Sequence, residues 1–116
     1  MKCRLRPVDD HGTKYKALQF WCPGCENEEG KGGLHMIPVL LPGEIHSTAG
    51  RATWAFNGDM DAPTLSPSIL TTRPGFVCHS FLVDGVFQFL GDCTHSLAGQ
   101  HVPIPDLPAW VAKEWD

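Results

Sequence analysis

The chain lacks any apolar run near the roughly 20 residues that a membrane-spanning helix needs; its longest apolar stretches are short and broken by proline, glycine or charge. The N-terminus, "MKCRLRPVDD", has no apolar segment of the secretory type. Basic residues are few, with 9 Lys and Arg against 13 Asp and Glu, and the formal net charge is -4. That balance argues against a nucleic-acid-binding surface, because phosphate recognition favours a basic face. No internal repeat is visible. The expectation is a cytoplasmic protein with no membrane contact.

What the chain does have is cysteine, glycine and proline. At 116 residues it is long enough for one compact domain and too short for two, so residues 1–116 are read as a single domain. Hydrophobic residues make up 42% and charged residues 19%, a globular composition. Twelve glycines and ten prolines suit short strands and many turns better than a helical bundle. Five cysteines form an odd set, and clustered thiols in a reducing compartment favour metal ligation over disulfides.

Along the chain, "KYKALQFW" (14–21), "LHMIPVLL" (34–41), "ATWAF" (52–56) and "TLSPSILTT" (64–72) read as extended segments, and Pro38 suggests an edge or a bulge. "FVCHSFLV" and "VFQFL" flank Asp84-Gly85, a strong two-residue hairpin signal. The tail "PDLPAWVAKEWD" suggests a short helix capped by Asp106, with Pro108 in its first turn and an apolar stripe of Trp110, Val111 and Trp115. The expected fold is mainly β, with a small α+β fold as the variant: a compact, zinc-stabilised antiparallel sheet with a short C-terminal helix.

Hairpin geometry sorts the chemistry-bearing residues. With Val83 facing Val86, Cys78 lies opposite Gly91 and diagonal to Cys93, and alternation places Ser80, Leu82, Phe87 and Phe89 on that same face. His79 and Asp92 are diagonal neighbours on the other face, roughly 7–8 Å apart at the backbone and within reach of each other.

The knuckle Cys22-Pro23-Gly24-Cys25 has C-x2-C spacing, which lets two thiolates bind one Zn2+. The redox reading of such a pair expects a helix at the motif, whereas a polar, glycine-rich loop follows here. The expected zinc ligands are Cys22, Cys25, Cys78 and Cys93, with His35 and His95 as alternatives to a cysteine. Cys3 stands apart as a free thiol.

The segments "FWCPGC", "WAFNGDMDAPTLSPSIL" and "CHSFLVDGVFQFLGDCTHSLAGQHVPIPD" resemble a family of small phage and prophage proteins often labelled "ammonia monooxygenase". That label implies a membrane copper enzyme, which the short apolar runs and the thiolates contradict. The family in turn resembles a domain of bacterial ubiquitin-like operons proposed to be a metal-containing peptidase. The resemblance spans residues 18 to 106. It implies that Cys22 and Cys25 form the metal knuckle, that Ser68 is the family's serine and that Cys78 is its third cysteine. Where the wider pattern has Cys-x-Ser-His-Phe, this chain has Cys78-His79-Ser80-Phe81. The histidine comes two positions earlier, which preserves its strand face.

Two functions follow. The first is a zinc-containing hydrolase acting on a peptide or isopeptide bond near a ubiquitin-like C-terminus. Ser68, or Ser66, would be the nucleophile, His79 the base and Asp92 its orienting group, with zinc structural. In a variant, zinc is catalytic on Cys22, Cys25 and Cys78 plus water. The second is a non-catalytic zinc module, such as a phage accessory protein, that binds a protein partner through Trp21, Trp54, Trp110 and Trp115. The two differ in one observation: an enzyme needs Ser68 beside a histidine that is itself held by a carboxylate.

Overall fold

The computed structural model describes residues 1–44 and 52–111. Eight strands follow in chain order: β1 (Cys3–Asp10), β2 (Thr13–Trp21), β3 (Leu34–Leu40), β4 (Trp54–Phe56), β5 (Leu65–Arg73), β6 (Phe76–Val83), β7 (Val86–Phe89) and β8 (His101–Pro103). Their order in the sheet is their order in the chain. Every neighbouring pair is antiparallel except β3 and β4, which run parallel. The fold is thus mainly β as expected, and the sheet is mixed. No helix among the described residues is long and apolar enough to cross a membrane.

The sheet curls onto itself. At about 4.8 Å per strand, a flat sheet would hold β2 and β7 roughly 24 Å apart. Instead the Phe20 ring of β2 lies 6.0 Å from the Phe87 ring of β7. Curling encloses the inward residues Leu18, Phe20, Leu65, Leu82 and Phe87 in one buried cluster, which also takes in Cys22, Cys25 and Cys78.

Two strands carry no clear sequence signal. β1 holds Arg4, Arg6, Pro7, Asp9 and Asp10, a poor strand by pattern. As an edge strand that pairs, among the described residues, only with β2, it tolerates charge and proline. β8 has only three residues. Pro38 sits in β3 just before the parallel pairing, which involves only Val39 and Leu40.

At the C-terminal end the helical residues are 109–111. Asp106 does not act there as the expected cap: it pairs with the N-terminal amine and with Lys2, each at 3.4 Å. Val111 is buried, and Trp110 stands half-exposed with its ring edge-on to Trp21 at 6.4 Å. Trp115, the third residue of the expected stripe, lies outside the described residues.

Candidate active site and metal centre

The β6–β7 hairpin turns at Asp84-Gly85, both with positive φ (49° and 76°), the pair of left-handed residues that a tight hairpin turn requires. Val83 pairs with Val86 and Ser80 with Phe89. Alternation turns Cys78, Ser80 and Leu82 into the core and leaves His79 and Phe81 on the outer face.

Two irregularities, each inserting two residues, build the site on that outer face. In β5, Leu65 pairs with Leu82 and Ile69 with Ser80, so Ser66, Pro67 and Ser68 stand opposite Phe81 alone. An even insertion preserves face parity: Leu65 and Ile69 remain buried while Ser68 stays outward. Beyond β7, the Leu90 N–H still bonds the His79 carbonyl at 2.9 Å, but the N–H that reaches the Val77 carbonyl belongs to Thr94, at 2.9 Å. Continued register would have put Asp92 opposite Val77. Gly91, Asp92 and Cys93 therefore loop out opposite Cys78.

These bulges bring three side chains into line. His79 Nδ1 lies 3.0 Å from Asp92 Oδ2, and His79 Nε2 lies 3.0 Å from Ser68 Oγ. A carboxylate only accepts, so Nδ1 carries the proton and donates to Asp92. Nε2 then holds the lone pair and accepts from the Ser68 hydroxyl. The His79 side chain is 24% exposed and that of Asp92 57%. Ser66, in the same bulge, pairs with Ala55 of β4. Trp54, expected from the sequence as part of a partner surface, donates its ring Nε1–H to the Ser68 carbonyl at 3.1 Å.

The inner face carries thiols. Cys22, Cys25 and Cys78 lie with their sulfurs within 4.8 Å of one another, all buried. Cys78 joins a second such group with Cys93 and His95. The Cys22–Cys78 sulfur distance is 3.8 Å. Two thiolates on tetrahedral zinc, with Zn–S of about 2.3 Å, stand about 3.8 Å apart, so the spacing fits such an ion. Thiol sharing with Cys22 and Cys78 holds Cys25 far below the ordinary thiol range. The same sharing pushes Cys22 up to about 12, and hydrogen bonding to Cys22 and Cys25, with burial, raises Cys78. Three thiolates cannot crowd together without a cation to balance them. The donor set can hold a metal ion.

Two histidines border the sulfurs. His35 Nε2 lies 3.3 Å from Cys25 Sγ, its ring stacked on Phe20. His95 Nε2 lies 3.3 Å from Cys78 Sγ. Gly24 is a requirement of this packing, since a Cβ there would stand 2.6 Å from His95 Nε2 and 2.7 Å from the Phe89 ring. Cys3 is free and belongs to neither group of possible metal ligands, its sulfur standing against the Met60 carbonyl at 3.3 Å.

Ser68, His79 and Asp92 stand in the nucleophile–base–orienter order that serine hydrolases use. The chain belongs to the family of bacterial ubiquitination-like system serine proteases (BubE), whose model matches residues 4–90. The matched span includes Ser68 and His79 and ends just before Asp92, Cys93 and His95. No curated protein and no solved structure matches the chain.

Proposed function

We propose that the protein is a serine peptidase cleaving a peptide or isopeptide bond beside the C-terminus of a ubiquitin-like protein, with Ser68, His79 and Asp92 as its catalytic residues. The observation that carries this reading is the unbroken chain of 3.0 Å contacts from Ser68 Oγ through His79 to Asp92. A binding module has no need of that alignment. Family membership supports the protein substrate.

The chemistry follows from the tautomer. Ser68 Oγ attacks the scissile carbonyl carbon while His79 Nε2 takes the hydroxyl proton. Collapse of the tetrahedral intermediate breaks the C–N bond, and His79 returns the proton to the leaving amine. Water, deprotonated by the same Nε2, then releases the acyl group from Ser68. Asp92 holds Nδ1–H throughout and stabilises the imidazolium. Zn2+ fits as a structural ion held by Cys22, Cys25 and Cys78, with a fourth ligand completing the tetrahedron. When bound it supplies a crosslink between the knuckle and β6 and balances the thiolate charge.

His35 borders Cys25 and His95 borders Cys78, and neither imidazole joins the group of three sulfurs. The Leu97 N–H donates to His95 Nδ1 at 3.2 Å, which puts the His95 proton on Nε2, facing Cys78. His95 then donates to the thiolate and has no lone pair for the ion. Five free thiols suit a reducing cytoplasm.

The test is cleavage of a ubiquitin-like protein fused at its C-terminus to a reporter. The wild type should release the reporter, Ser68→Ala should not, and a fluorophosphonate should label Ser68 by peptide mass spectrometry. Absence of both cleavage and adduct would refute the proposal.

A further inference from the structure

We infer that Cys93, although it stands with Cys78 and His95 in a group that could hold a metal ion, is a positioning residue: a thiol that clamps the loop bearing Asp92 to the backbone of His79. The inference rests on the peptidase reading for its kinetic consequence, but not for its geometry.

The observation is a doubled contact. Cys93 Sγ accepts the His79 N–H at 3.2 Å and stands 3.2 Å from the His79 carbonyl oxygen. A thiol can satisfy both, accepting with sulfur and donating S–H to oxygen. A metal-bound thiolate has no proton to donate and would repel the carbonyl oxygen at that distance. The clamp also answers a need. The loop-out of residues 91–93 removes the ladder partner that the His79 N–H would have had, because the Leu90 carbonyl accepts from Cys93 N–H at 3.3 Å instead. The Cys93 side chain replaces that lost partner. A buried N–H left unpaired is costly, so the thiol stabilises the same irregular loop that swings Asp92 to Nδ1. Asp92 and Cys93 are consecutive, and both of their side chains bond the same residue, His79, one to its ring and one to its backbone.

The test uses the full chain with its metal, as wild type, Cys93→Ser and Cys93→Ala. Serine keeps both a donor and an acceptor; alanine keeps neither. All three should retain the same zinc per chain by elemental analysis. Cys93→Ala should lower kcat by about tenfold to a hundredfold with little change in KM, the scale of a small misplacement of a catalytic group. Cys93→Ser should restore most of it. The proton between His79 Nδ1 and Asp92, seen by NMR as a downfield resonance that Asp92→Asn removes, should persist in the wild type and in Cys93→Ser and vanish in Cys93→Ala. Zinc lost in both variants would make Cys93 a ligand and overturn the inference. So would an alanine variant with unchanged kcat and an intact resonance. If the wild type turns over no substrate, the peptidase reading fails instead, and zinc content and the resonance decide the clamp alone.

Discussion

Cys78 and His79 are consecutive residues that face opposite sides of one strand, with Cys78 Sγ 3.8 Å from Cys22 Sγ and His79 Nε2 3.0 Å from Ser68 Oγ. Strand alternation therefore places the thiol cluster directly beneath the histidine of the triad. Disturbing the cluster should therefore move the backbone that carries His79.

The first prediction follows from that adjacency. The intact chain should carry about one zinc, readable as a mass increment by native mass spectrometry. Cys22→Ser should lose the metal and the cooperative thermal transition, because a structural zinc contributes folding free energy directly. A chelator should abolish activity and tertiary structure together. A metal-free chain with an unchanged melting curve would contradict this.

A second prediction concerns the triad as a unit. Ser68→Ala and His79→Ala should each cost several orders of magnitude in kcat, and the double variant should be no worse than either, since residues acting in one step are not additive. Asp92→Asn should cost at most about 10⁴-fold, the loss seen when a buried orienting carboxylate is replaced. Asp92 is 57% exposed, so water softens its loss. Ser66→Ala should stay close to wild type, because Ser66 belongs to the β4–β5 ladder. Steady-state kinetics on a fusion substrate decides each point.

How much of this was legible beforehand depends on periodicity. The Asp84-Gly85 turn and the opposite faces of Cys78 and His79 follow from a period of two, and the sequence declares them. The bulges do not. Pro67 in "LSPSIL" and Gly91 in "GDC" permit a bulge, but neither says how many residues it inserts; that number is set by partners distant in the chain. Straight register would have left Asp92 diagonal to His79, whereas the insertion carries it into contact. β1 is masked for a different reason: Cys3 and Leu5 alternate with Arg4 and Arg6, but Pro7, Asp9 and Asp10, which an edge strand tolerates, break the pattern. The parallel β3–β4 pairing depends on a long connection and has no local signature.

Glycine substitutions supply a third prediction. Gly24→Ala would push a Cβ to 2.6 Å from His95 Nε2, so it should disturb the knuckle and lower metal retention. Gly85→Ala tests the turn instead. Its φ is 76°, and the added Cβ would meet Ala62 Cα at 3.1 Å. A left-handed alanine costs about 1–2 kcal/mol, so Gly85→Ala should lower stability by at least that amount in urea melts while leaving zinc content unchanged.

The last prediction concerns pH and isolates Cys3 from the other thiols. Burial, reinforced by the carboxylates of Asp61 and Asp59, pushes the Cys3 thiol from 9.0 up to about 11. Its neutral form is thus favoured in the fold. Raised in this way, an acid contributes stability that is fully present below its unfolded value near 9 and is lost as pH rises through its folded value near 11. The unfolded chain releases the Cys3 proton first, so each increment of pH in that window favours unfolding. Cys3→Ala removes this dependence while keeping all the thiols of the Cys22, Cys25 and Cys78 group, to which Cys3 does not belong. Urea midpoints measured from pH 8 to pH 11 should fall more steeply for the wild type than for Cys3→Ala. Below pH 8 the two curves should run parallel, offset by the packing lost with the sulfur. Parallel curves across the whole range would show that Cys3 ionises in the fold as readily as in the unfolded chain.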